Sequence, residues 1–178
     1  MNSHERVLTR YLKAVRALQA VGVATGLPVP DVDQSPGLCG PAALKAVLGF
    51  YGRVVTEDEL AHLSGANPED GVGPEGLVRA AQAMGFHAAV RESASIQDLQ
   101  SWLDHGIPVI VDWFSQDEGH YSVVKAIQGG SIFMMDPEKN TETETPLDSF
   151  ERTWFDFEEG DTRKHQGLVQ RQMIVVWP

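Results

Sequence analysis

A single cysteine, Cys39, stands in a chain of 178 residues. It cannot form an internal disulfide, and no cysteine cluster is available to hold zinc. No stretch reaches the roughly 18 consecutive apolar residues of a membrane-spanning helix, so no membrane partner is expected. The N-terminus is charged and lacks an apolar signal core, which reads as cytoplasmic. Basic side chains are scarce, 14 against 25 acidic ones, for a formal net charge of −11. Duplex nucleic acid needs an excess of Lys and Arg and is excluded as a partner on that ground. What is present is an ordinary globular composition, 42% hydrophobic and 22% charged. A chain of this length buries a core as one domain without a staple.

Charge is unevenly spread. Residues 1–30 hold four basic side chains, Arg6, Arg10, Lys13 and Arg16, against Glu5, whereas residues 31–178 hold ten basic against 24 acidic. Val7, Leu8, Tyr11, Leu12, Val15 and Leu18 recur at helical spacing, with Ser3 to cap and Gly22 and Gly26 to stop. The spacing predicts an amphipathic helical extension over 1–27, ahead of the main domain over 28–178. Its basic stripe is expected to be solvated or paired with the acidic body, with docking of a protein partner as the alternative.

In the main domain helices come first. Pro41–Tyr51 is apolar nearly all round, as a buried helix is. Thr56 and Glu59 form a capping-box pair opening a short helix that ends near Gly65. Pro74–Met84 is a third helix, His87–Arg91 a short strand, and Ser95 opens a fourth helix toward Gly106. From Ile107 the period changes to that of strands. Ile107–Phe114 is a β-branched apolar run, Tyr121–Ile127 and Ile132–Met135 flank Gln128-Gly129-Gly130 as a hairpin, and Leu168–Trp177 alternates as a last strand. Pro146–Trp154 is expected to make one or two helical turns. Residues 136–161 carry ten acids and two bases and are expected as a solvated loop or helix. The expected class is α+β, a helical N-terminal half packed on an antiparallel sheet.

Chemistry concentrates at Gln34-Ser-Pro-Gly-Leu-Cys39-Gly40-Pro41. A thiol at a helix start faces the positive end of the dipole and unpaired N–H groups, which favour thiolate over thiol. The bland alternative is a small buried hydrophobe. A thiolate nucleophile needs an imidazole to pair with it and to protonate the leaving group. Of six histidines, His120 follows Glu118-Gly119 and opens a strand, which puts its ring at a sheet rim where a substrate can approach. The imidazole needs an orienting carboxylate or amide. With Gln128–Gly130 as a three-residue loop, Asp136 opposes Ser122 and shares a face with His120; a two-residue loop puts it on the other face. Asp112 is the competing orienter. Gln34, five residues before Cys39, is placed to join the Cys39 N–H in an oxyanion hole.

Gln-x-x-x-x-Cys-Gly-Pro-Ala-Ala-Leu, then Gly-His-Tyr-x-Val-Val, then an apolar strand ending Asp-Pro, resembles the bacteriocin-processing, double-glycine type of papain-like cysteine peptidase. The resemblance covers about residues 30–178. It implies a papain-like fold, Gln34 as oxyanion-hole residue, Cys39 as nucleophile, His120 as base and acid, and Asp136 as orienter, with no metal or organic cofactor. It also implies a peptide or protein substrate cut after small residues, often a Gly-Gly pair. Two departures are visible: Leu38 stands where the family commonly has Asp or Asn, and no transporter span accompanies the domain. A stand-alone relative with its own substrate is therefore expected. The competing expectations are an acyl transferase on the same site, a catalytically idle binding or regulatory module, and a toxin, effector or immunity protein docking through the basic arm.

Overall fold

A computed structural model describes residues 26–115, 118–157 and 168–178. The helical extension expected over 1–27 lies outside them except for its last two residues. Helix α1 (Cys39–Phe50) is buried on nearly every side, and Leu44 and Leu48 have no exposed surface. Helix α2 (Glu57–Ser64) starts at Thr56, whose Oγ1 accepts from Glu59 N–H at 3.1 Å, and stops at left-handed Gly65. Helix α3 (Pro74–Ala83) follows, with proline in its first turn where no N–H is needed. Strand β1 (His87–Arg91) leads to helix α4 (Ile96–Asp104), which opens on a reciprocal capping box between Ser95 and Asp98. The caps at Thr56 and Ser95 and the stop at Gly65 were visible in the sequence as short polar or glycine signals.

The remaining strands are β2 (Val109–Ser115), β3 (Glu118–Gln128), β4 (Ser131–Asp136), β5 (Thr141–Pro146), β6 (Phe155–Phe157), β7 (Leu168–Gln170) and β8 (Gln172–Trp177), with helix α5 (Leu147–Thr153) between β5 and β6. Five of them join β1 in a six-stranded antiparallel sheet in the order β1-β8-β2-β3-β4-β5, and β6 pairs with β7 separately. The C-terminal strand β8 thus enters between β1 and β2. Tyr51 at the end of α1 donates to Val176 O on β8 at 2.9 Å, tying the central helix to the sheet. α1 packs against β3, which brings the start of that helix to the sheet rim where β3 begins. Among the described residues no helix is long and apolar enough to cross a membrane.

Three expectations need correction. The hairpin loop has two residues, not three: Gln128 pairs with Ser131, and Gly129 and Gly130 both take the positive φ that a type I′ turn requires. Leu168–Trp177 is two strands, because Arg171 adopts φ 51°, breaks the alternation, and directs β7 to β6 and β8 to the main sheet. The acidic stretch after Asp136 contains strands. Thr141–Pro146 forms the edge of the main sheet, where glutamates facing outward blunt an exposed ladder, and Phe155–Phe157 forms β6.

Candidate active site

Cys39 is the first residue of α1, two residues earlier than the proline that marks the helix in the sequence. Its side chain is half-buried. Leu38 precedes it without a side-chain cap, so the first N–H groups of the helix are left to whatever lies beside the thiol. His120 lies near the start of β3 and is buried. Its Nε2–H donates to Asp136 Oδ1 at 2.8 Å, and the Cys39 side chain lies close enough to the same ring to raise its pKa. Since Nε2 is taken by Asp136, Nδ1 is the nitrogen left for sulfur. The structure therefore brings Cys39, His120 and Asp136 into one line.

Asp136 reaches His120 although the loop is one residue shorter than expected. A bulge leaves Lys125 unpaired, and beyond it the register becomes Val124↔Met134 and Val123↔Met135. Continuing that register sets Asp136 against Ser122, on the His120 face. The shorter loop and the extra strand residue offset one another.

Electrostatics follow from this geometry. Burial pushes the His120 pKa down, but hydrogen bonds to Asp136 and Cys39 and the charges they carry outweigh it and raise it to about 9. Burial also pushes Asp136 up. The His120 bond and charge, the Glu138 N–H at 3.1 Å and the Lys139 ammonium near Oδ2 reverse that and hold it below the ordinary carboxylate value. Trp113 is the cross-strand partner of His120; its ring meets the imidazole edge-on at 6.1 Å, and its Nε1–H donates to Ser122 Oγ at 3.0 Å. The His–Asp pair thus has an aromatic wall. Among the described residues, His120, Asp136 and Glu138 alone gather three ligand atoms within 4.8 Å, and there the imidazole nitrogen is already committed to Asp136.

Gln34 is half-buried, with its backbone N–H on Pro137 O at 3.1 Å and its side-chain Oε1 buried without a hydrogen-bond partner. Asp112 makes no hydrogen bond to His120. Strand register puts it opposite Tyr121 instead, and its carboxyl lies against Asp156. Burial, then the charge and contact of Asp156, push Asp112 well above the ordinary value. Asp156, on β6, places its carboxyl directly over Gly119, where a Cβ would lie 2.1 Å from Oδ2. Sequence reading missed Asp156 and Trp113. The Gly119 beside His120 was the one local signal that something approaches the backbone there.

Residues 32–157 match the peptidase C39 family. The chain belongs to that family. LagD of Lactococcus lactis subsp. lactis, a lactococcin-G-processing and transport ATP-binding protein, is 29% identical over 119 residues, which are 65% of this chain and 16% of LagD. This C39 chain therefore spans about one sixth of that relative. The peptidase domain of Streptococcus ComA, a bi-functional ABC transporter involved in a quorum-sensing pathway, superposes with a TM-score of 0.67 at 25% identity, over 84% of this chain and 98% of that one. A double glycine motif protease from an AMS/PCAT transporter, solved in complex with its leader peptide, has a TM-score of 0.67 at 22% identity, over 86% and 94%. The fold is papain-like, a mixed helical and antiparallel arrangement shared with these C39 domains. Membership in the C39 family supports a cysteine-peptidase-like function.

Proposed function

We propose that this C39 domain is a peptidase that cleaves a peptide through an acyl-enzyme on Cys39. The observation that carries the reading is the Asp136–His120 hydrogen bond at 2.8 Å on an imidazole whose pKa is raised in part by the thiol at the start of α1. With its pKa raised to about 9, His120 is an imidazolium at neutral pH. A buried imidazolium needs an anionic neighbour, and the Asp136 carboxylate on Nε2 supplies one, leaving Nδ1 to serve the Cys39 sulfur.

From that state the thiolate attacks the scissile carbonyl carbon, forming the C–S bond and moving the carbonyl pair onto oxygen. The oxyanion accepts from the Cys39 N–H at the helix start and from the Nε2–H of the Gln34 amide. His120 Nδ1–H then protonates the departing amine as the C–N bond breaks. The neutral imidazole takes a proton from water, which attacks the thioester, and sulfur leaves as thiolate with the proton back on Nδ1. Asp136 keeps Nε2 protonated and the ring aimed throughout. The relatives named for lactococcin processing and for a leader peptide support a peptide substrate, with cleavage after a small residue pair.

Alkylation of Cys39 by iodoacetamide at neutral pH tests the reading. Rapid modification that collapses in His120→Ala supports it. Slow modification that is unchanged in His120→Ala identifies an idle module instead.

A further inference from the structure

The Gln34 amide makes no hydrogen bond at its buried Oε1, whereas the backbone on either side of it is firmly held. On one side Gln34 N–H is held by Pro137 O at 3.1 Å, next to Asp136. On the other side Ser35 is held twice by one carboxylate. Ser35 N–H donates to Glu57 Oε1 at 2.9 Å, and Ser35 Oγ–H donates to Glu57 Oε2 at 2.5 Å. Ser35 O in turn accepts from Leu38 N–H at 3.0 Å, which closes the turn that delivers Cys39. Glu57 is the first residue of α2, so its own backbone is anchored by the Thr56 cap. A carboxylate that engages a backbone donor and a side-chain donor of the same residue fixes both its position and its rotation. Such charge-assisted bonds are roughly twice as strong as neutral ones.

We propose that Glu57 is a positioning residue for the reaction: through its two bonds to Ser35 it fixes the chain at Gln34 and Ser35, and with it the aim of the Gln34 amide at the oxyanion, while Cys39 is held by its own helix. The inference rests on the peptidase reading of Cys39, and Glu57 itself touches no reacting atom. A glutamate in the first turn of a helix is also stabilising through the dipole alone. That role moves stability and leaves the chemistry of the hole untouched, which separates the two.

Two probes of the purified full chain distinguish them. Iodoacetamide alkylates Cys39 by displacing iodide from a saturated carbon, with no oxyanion. p-Nitrophenyl acetate acylates Cys39 through a tetrahedral oxyanion, with p-nitrophenolate leaving. Glu57→Ala should leave alkylation unchanged and slow acylation by roughly 10–10²-fold, the scale of a misplaced group rather than of a lost donor. Ser35→Ala, which keeps the backbone arm, should fall between this variant and the unsubstituted chain. Adding Glu57→Ala to Gln34→Ala should cost nothing further, because the positioned group is already gone. Unchanged acylation in Glu57→Ala, a parallel fall of both rates, or additive losses with Gln34→Ala would each overturn the proposal. Should Glu57→Ala fail to fold, the two Ser35→Ala rates decide. An unsubstituted chain inert to iodoacetamide overturns the peptidase reading itself, before any Glu57 variant is needed.

Discussion

Asp136 meets His120 at 2.8 Å because Lys125 of β3 has no partner in β4. The bulge advances the register by one residue, and without it Asp136 would face Val123 on the opposite side of the sheet. Two contacts brace the extra residue: its carbonyl accepts from Leu27 N–H at 2.8 Å, and its ammonium pairs with Glu142 at 2.7 Å. Bulges that re-aim a side chain are common beside active sites, and this one joins a strand irregularity directly to the histidine.

That brace predicts a sensitive position away from the thiol. Gly26 has φ 75°, and a Cβ there would lie 2.3 Å from Lys125 O. Gly26→Ala should cost about 1–2 kcal/mol for the left-handed backbone alone, with the clash added to it. Urea denaturation measures the loss, and iodoacetamide labelling should slow as the bulge shifts. A variant as stable and as reactive as the unsubstituted chain would show that residue 26 does not brace the site.

The imidazole should set an alkaline limit. In the proposed reaction His120 acts while protonated, and its pKa stands at about 9, above the ordinary histidine value. A raised pKa means that the imidazolium is fully present below the ordinary value and is lost as pH rises through about 9. Acylation of Cys39 should therefore fall on the alkaline side near pH 9. Asp136→Asn removes one of the groups holding the pKa up and should move that limb toward neutrality while slowing the rate. An unmoved limb in Asp136→Asn would assign it to another group.

The proposed nucleophile and the proposed oxyanion donor should separate cleanly in kinetics. Cys39→Ala should abolish acylation with little effect on stability, since a half-buried thiol at a helix start leaves almost no cavity. Gln34→Ala should lower turnover by roughly 10²–10³ while leaving iodoacetamide labelling intact. Residual acylation in Cys39→Ala would point to a different nucleophile.

Cys39, His120 and Gln34 stood out in the sequence because each has a local signature: a thiol before Gly-Pro, a histidine after glycine at a strand start, an amide five residues upstream. Asp136 was assigned to the His120 face from a wrong loop length, since the bulge at Lys125 has no glycine or turn residue to announce it in the sequence. Thr141, Thr143 and Thr145 alternate as a strand does, yet β5 carries no aliphatic residue, so periodicity of apolar side chains was silent. Arg171 broke a strand that alternates without interruption. The bonds from Ser35 to Glu57 and the packing of Asp156 on Gly119 join distant segments, and only tertiary structure reveals such pairs.

Asp112 remains as a buried acid with a different task from orienting His120. Asp156, Tyr121 and His120 are the titratable groups that face it, and Oδ1 has no hydrogen-bond partner. Burial and the Asp156 charge raise its pKa well above the ordinary carboxylate value. A folded pKa above the unfolded one means the folded chain holds the proton more tightly. The stability this gives is fully present below about pH 4 and is lost as pH climbs through the folded value. An asparagine there stays neutral at every pH, keeps a donor for Asp156 and keeps an acceptor for Tyr121. Asp112→Asn should accordingly match the unsubstituted chain near pH 3 and exceed it in melting temperature at pH 8. Its Cys39 labelling rate should be unchanged, because Asp136 holds the ring. Equal melting temperatures at both pH values would mean that Asp112 ionises as an ordinary carboxyl, and a collapse of labelling would return it to the role of orienter.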